Sequence, residues 1–191
     1  MDAKHLITVL FARRDSNYKT LPGVDVWDAD RDALKWPGGT PIVAHPPCRG
    51  WGQLRFLAKP TPGELALAPW AVVQVRKFGG VLEHPNRSIL WPTAGLPEPR
   101  SVDKFGGWTL PISQHWWGHK AEKLTRLYIV GCRHVDVPDM PFVLGESSHV
   151  IAQGNRKNKR RPRPEVTKVE REHTPILLAE WLVELARRCR P

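Results

Sequence analysis

The sequence predicts an open α/β sheet with flanking helices, Rossmann-like in layout, and three observations carry that expectation. Short apolar runs of strand length recur along the chain, each stopping at a polar turn. Helical patterns lie between and after them. Hydrophobic residues are 41% of the 191 and charged residues 25%, which supplies one domain with a sizeable core. Strands alternating with helices build sheets whose ligand chemistry lies just beyond the C-terminal strand ends.

Leu6 to Phe11 (LITVLF) is a continuous apolar run, as expected for a strand covered on both faces. Pro41 to Ala44 is a second short run, leading into Pro46-Pro47-Cys48. Pro69 to Phe78 reads as a helix, with Pro69 setting its start and Gly79-Gly80 its end. Val81-Leu82 is a third strand, stopping at Glu83-His84-Pro85; Leu127 to Val130 is a fourth, closed by Gly131. A closing helix spans 174–188, with Thr174 as N-cap, Pro175 at its first position, and Leu178, Trp181, Leu182 and Leu185 on one stripe. The chain, 1–191, reads as a single domain, with a basic flexible segment at 154–163.

No apolar run approaches the ~20 residues of a membrane span, and the N-terminus lacks the pattern of a secretory signal. The 3 cysteines, Cys48, Cys132 and Cys189, are too few and too scattered for a disulfide framework, so a reducing, cytoplasmic setting and a monomer are expected. Lys and Arg number 29 against 19 Asp and Glu, a net charge of +10. Much of the excess is one run: Arg156, Lys157, Lys159, Arg160, Arg161 and Arg163. Clustered cations gain affinity by releasing counterions from phosphates, so nucleic acid is the expected partner; a solvated basic loop is the alternative. Phosphate contacts from such a run carry little sequence information.

The sharpest local feature is Ala44-His45-Pro46-Pro47-Cys48-Arg49-Gly50-Trp51-Gly52. A cysteine leaving a strand on a Pro-Pro turn is held rigidly, and a neighbouring cation such as Arg49 favours the thiolate, the nucleophilic form. Two further features follow in order. One is Glu83-His84-Pro85, a carboxylate at a strand end; the other is Trp117-Gly118 followed by Glu122, Lys123, Arg126 and Leu127-Tyr128-Ile129-Val130-Gly131.

Together these resemble the cytosine-5 DNA methyltransferases, which carry a Pro-Pro-Cys loop, a Glu-Asn-Val strand end and a Gln-x-Arg-x-Arg segment running into an aromatic strand. The resemblance implies a methyltransferase-type sheet, truncated, with no separate target-recognition domain, in an enzyme compact enough for a phage or mobile element. It implies DNA as substrate, with Cys48 adding to carbon 6 of the base, Glu83 binding ring nitrogen 3 and the exocyclic amine, and Arg126 on the carbonyl side. His45, Arg49, His84 and Lys123 would line the base. Addition to carbon 6 makes carbon 5 a nucleophile, and a nearby carboxyl group compensates the ring charge. A duplex hides carbon 6, so the base is flipped out or presented single-stranded.

Within this chain His45 stands where the family has glycine before Pro-Pro-Cys, and Glu83-His84-Pro85 replaces Glu-Asn-Val. The resemblance implies S-adenosylmethionine as donor, with Phe11, Asp28 and Pro47 around it. Phe11 is nevertheless followed by Ala12-Arg13-Arg14, where the family has close-approach glycines, and the stretch before Cys48 leaves little room for the strand whose acidic end holds a ribose. Another one-carbon or electrophilic donor, or a free pyrimidine nucleotide as substrate, therefore stays open. So does a non-catalytic nucleic-acid-binding protein on the same fold. No metal is expected: His45 with Cys48, His115 with His119, and Cys132 with His134 have partial ligand spacings, but no second paired unit completes a tetrahedral set.

Overall fold

The computed structural model describes residues 6–151 and 163–190. Among them a six-stranded sheet forms in the order β2-β1-β3-β4-β6-β5. Its strands are β1 (Ile7–Ala12), β2 (Val24–Asp28), β3 (Ile42–Ala44), β4 (Gly80–Pro85), β5 (Trp108–Ser113) and β6 (Leu124–Val130). Strands β2, β1, β3 and β4 are parallel; β6 runs antiparallel to both β4 and β5. The expected α/β sheet is present.

Two apolar layers follow from the period-two alternation of the strands. Ile7, Val9, Val43, Val81, Leu127 and Ile129 face one way and pack on α4 (Ile176–Arg188). Leu10, Ile42, Ala44, Leu82, Tyr128 and Val130 face the other way and pack on α1 (Glu64–Phe78). The predicted stripe of Leu178, Trp181, Leu182 and Leu185 is buried in the first layer. Gly80 lets β4 lie close beside β3: with φ +118, a Cβ there would come within 2.0 Å of the Ile42 carbonyl oxygen. That contact sits in the register pairing Ile42 with Gly80 and Ala44 with Leu82.

Four expectations about elements need correction. Helix α1 starts at Glu64, with Pro69 inside it. Glu64 anchors the extra turn by accepting from the Thr61 amide (3.1 Å) and hydroxyl (3.0 Å), while Ala68, Ala71, Val72 and Val75 bury the face behind it. The closing helix begins at Ile176 because Pro175, at ψ 144, is still extended; the Thr174 carbonyl accepts from Asn17 instead. The short stretch before Cys48 does hold a second strand, β2, because it is joined to β1 through only a 3-10 turn at Asn17–Thr20. Strand β5 was not foreseen; its Pro111 interrupts the sequence pattern but lies exposed on a sheet edge, where a missing amide is tolerated.

Two short helices complete the fold, α2 (Leu90–Thr93) and α3 (Lys168–Glu172), the latter opened by a capping box between Thr167 and Glu170. The chain leaves β1 towards β2 on one side and returns as β3 on the other. The loops after β1 and β3 therefore diverge and open a crevice at the C-terminal strand ends, the topological switch point.

Candidate active site

His45 directly follows β3 and Glu83 lies in β4, one position beyond the paired Ala44 and Leu82. The two side chains meet: His45 Nδ1 is 3.0 Å from Glu83 Oε2. On its far side, His45 Nε2 is 2.8 Å from the Tyr18 hydroxyl, and Glu83 Oε1 accepts from Gln114 Nε2 at 3.1 Å. A hydrogen-bonded chain Tyr18–His45–Glu83–Gln114 thus crosses the crevice floor. Burial disfavours the Glu83 carboxylate, yet the His45 hydrogen bond and the Lys123 charge outweigh it and hold the group down at about 2. Burial, then the Glu83 charge, pushes the Tyr18 phenol well above its ordinary range, so it stays protonated.

Cys48 closes the Pro-Pro turn three residues after His45. Its carbonyl accepts from the amides of Trp51 (3.0 Å) and Gly52 (2.9 Å), and the Trp51 carbonyl accepts in turn from Ile89 (3.0 Å). The Cys48 loop is therefore tied to the segment after β4. Cys48 is exposed, but protein surrounds it closely enough that burial raises the thiol above its usual range. The Glu83 charge adds to that rise and Lys123 opposes it. Cys48, Glu83, His45 and Lys123 are thus within electrostatic reach of one another.

Other expected site residues are not brought to this point. Arg49 turns to Glu64, with its Nε 2.6 Å from Oε1 and a second contact from Nη2 to Oε2. His84 is fully buried on the opposite face of the sheet, edge-on to Trp91 at 6.4 Å. Its ring nitrogens make no hydrogen bond of ordinary geometry among the described residues; burial pushes the ring down to about 4, against the opposing pull of the Glu83 charge and the nearby Pro47 backbone. Arg126 pairs with His84 across the sheet and shares its face, donating to Asn86 (2.7 Å) and Glu98 (3.0 Å). The alternation that aims Glu83 into the crevice aims these two away from it.

At the β1–β2 end, Phe11 adopts φ +62 beside a bulge in β1 and packs edge-on against Trp70 at 5.8 Å. A bulky residue in that region stores strain of about 1–3 kcal/mol. Asp28 does end β2, as an acidic strand end should. Its carboxylate, however, is held by Lys19 at 2.6 Å and by the amides of Asp30 (3.0 Å) and Arg31 (3.3 Å), the Lys19 bond doing most to lower it. Arg13 is tied to Asp15 (2.9 Å) and Glu172 (2.6 Å).

Of the basic run, Arg163 donates to the Ser147 carbonyl (2.9 Å) and hydroxyl (3.1 Å). Arg156, Lys157, Lys159, Arg160 and Arg161 lie outside the described residues, as does most of the 154–163 segment. Among the described residues no three His, Cys, Asp or Glu side chains gather as metal ligands. No helix there is long and apolar enough to cross a membrane.

Sequence reasoning missed Tyr18 and Gln114. Tyr18 lies in a turn without a motif, and Gln114 follows the unforeseen strand β5, so neither carried a spacing signal. No family model, curated protein or solved structure matches the chain.

Proposed function

We propose that the chain is an enzyme modifying cytosine at carbon 5 in DNA, on a methyltransferase-type sheet, through a covalent Cys48 adduct at carbon 6. The observation that carries this reading is the convergence of Cys48 and Glu83 from adjacent parallel strands at the switch point of the sheet. Cys48 Sγ loses its proton and bonds to carbon 6, while the electron pair of the 5,6 double bond moves into the ring. Glu83 accepts from the exocyclic amine and balances charge at nitrogen 3; Lys123 offers a cation for the charge on the ring. Carbon 5 then attacks the electrophilic donor, whose leaving group departs; the carbon 5 proton passes to water, and expulsion of Sγ as thiolate restores the double bond.

One observation favours a donor other than S-adenosylmethionine. The residues at the β1–β2 end do not fit that group: Ala12 and Arg13, each with a Cβ, follow Phe11 where the family has close-approach glycines, and the Asp28 carboxylate is taken by Lys19. The chemistry at Cys48 does not depend on which electrophile follows.

Nucleoside mass spectrometry of DNA from cells expressing the protein, beside a Cys48→Ala control, tests the reading. A new cytosine derivative in DNA from wild-type cells alone is expected. Its absence, or its persistence with Cys48→Ala, overturns the proposal. A derivative confined to the free nucleotide pool moves the substrate from DNA to the nucleotide.

A further inference from the structure

We propose that His45 is a positioning residue that holds a proton ready for Glu83, so that the pair, rather than Glu83 alone, protonates ring nitrogen 3 as the Cys48 adduct forms. The inference rests on the cytosine reading above. It starts from a departure: the residue before Pro-Pro-Cys is a histidine in this chain, and it is the residue in contact with Glu83.

The hydrogen bonds fix which nitrogen carries the proton. An ionised carboxylate only accepts, so the contact between His45 Nδ1 and Glu83 Oε2 requires the hydrogen on Nδ1. The same logic orients Gln114, whose Nε2 must face Oε1. At the other ring nitrogen the Tyr18 hydroxyl serves both charge states of His45. It donates to Nε2 when the ring is neutral and accepts from the Nε2 hydrogen when the ring is an imidazolium. Glu83 has about four acceptor positions, of which His45 and Gln114 use two, leaving room for a base.

A carboxylate held this low is not itself a proton carrier near neutral pH. As Sγ bonds to carbon 6, charge accumulates on nitrogen 3. The Nδ1 proton of imidazolium His45 moves to Glu83 Oε2, and Glu83 delivers a proton to nitrogen 3. The base gains one proton, His45 loses one, and Glu83 ends unchanged. The neutral ring left behind keeps its Nε2 hydrogen on the Tyr18 oxygen. Starting from neutral His45, the same transfer would strip Tyr18 to a phenolate, which its buried position opposes. Imidazolium is therefore the competent form.

The charged and titratable groups facing this ring are Tyr18 before β2, Glu83 in β4 and Cys48 in its own loop. Lys123 at the entry to β6 and Glu172 in α3 act on the same cluster, and His84 acts on Glu83 through the sheet. The Cys48 thiol must ionise while His45 supplies a proton, so the rate of adduct formation is expected to depend on pH through both groups.

The test uses DNA oligonucleotides carrying 2-pyrimidinone, which a carbon-6 nucleophile captures without any donor. Single-turnover capture is followed from pH 5 to 9. Replacing His45 with glycine is expected to slow capture ~100-fold and to change the shape of its pH profile. Added imidazole should restore at least about tenfold, in proportion to the imidazolium concentration. His45→Asn can keep a hydrogen bond to Glu83 but carries no transferable proton. A purely structural role predicts that Asn rescues the rate, whereas the relay predicts that it does not, with the variant still melting near the wild-type temperature. Asn or Gly variants capturing within about threefold of wild type, or with an unchanged pH profile, overturn the relay and leave the cytosine reading standing. Wild-type protein that captures no pyrimidine at any pH overturns both.

Discussion

At the β3–β4 end of the crevice Cys48 is exposed and Lys123 acts on it through space. At the β1–β2 end Asp28 is held by Lys19, Arg13 by Asp15 and Glu172, and Arg14 by Asp30. Both ends are products of the same switch point, and both are rich in charge. They differ in exposure: Cys48 is open to solvent beside Glu83, whereas Asp28 is buried beneath Lys19. An exposed thiol beside a carboxylate with spare acceptor positions can meet a ligand, while a carboxylate under a lysine and two amides must first lose partners. If the proposed function holds, the contrast matches base chemistry to the Cys48 end and a poor fit for S-adenosylmethionine to the other.

The largest effects should come from the open end. Cys48→Ala is expected to remove covalent capture of a 2-pyrimidinone oligonucleotide altogether, and Glu83→Gln to slow it ~100-fold or more. Glu83→Gln keeps the shape of the side chain, so a loss of rate with little change in melting temperature separates chemistry from packing. Equal rates for Glu83→Gln and wild type would dissolve the distinction between the two ends.

A second test sets the two faces of β4 against each other. Glu83 faces the crevice with its pKa lowered from 4.5 to about 2, and His84 faces the far side lowered from 6.5 to about 4. In both cases the unfolded chain binds its proton first as pH falls, so each shift is stability lost on acidification. His84 gives up its share between pH 6.5 and about 4, and Glu83 between 4.5 and about 2. A shift of that size in a fully buried ring corresponds to at most ~3 kcal/mol. Urea unfolding at pH 7 and pH 5 should therefore show wild type losing more stability on acidification than His84→Leu. Parallel pH slopes for the two proteins would place the titrating group elsewhere.

Arg126 supplies a smaller contrast. Its bonds to Asn86 and Glu98 lie on the His84 face, away from Glu83. Arg126→Ala is expected to cost ~1–2 kcal/mol of stability through the lost charge-assisted hydrogen bonds. Capture should change by less than about threefold. A loss as large as that of Glu83→Gln would bring Arg126 into the site after all.

The legible parts of this molecule were those that local sequence determines. Continuous apolar runs gave β1 and β6, and the stripe from Leu178 to Leu185 gave α4. The resemblance carried by Pro46-Pro47-Cys48, Glu83 and Lys123 led to the expectation of a shared site, and the structure brings the three within electrostatic reach of one another. What sequence did not reveal depended on partners distant in the chain. Pro69 lies inside a helix because Thr61 and Glu64 anchor the turn before it, and β5 holds together through its pairing with β6 despite Pro111. The opposite orientations of Glu83 and Arg126 follow from a pairing register that no spacing within either segment encodes.

The smallest expected effect concerns the closed end. Lys19 is 41% exposed at its side chain, so its pair with Asp28 is screened and its removal should cost under ~1 kcal/mol. Lys19→Ala nevertheless frees the Asp28 carboxylate of its strongest partner, leaving the amides of Asp30 and Arg31 to hold it. If the β1–β2 end were an S-adenosylmethionine site masked by one ion pair, this variant would unmask it. Calorimetric titration of wild type and Lys19→Ala with S-adenosylmethionine and its demethylated product decides the matter. Weak binding by wild type and no gain in the variant is expected, because the side chains of Ala12 and Arg13 still stand where a backbone must come close. Micromolar binding by wild type would return the protein to ordinary methyl transfer. A gain of tenfold or more in Lys19→Ala, about 1.4 kcal/mol, would show that the ion pair alone had closed this end, and the difference between the two ends would reduce to one lysine.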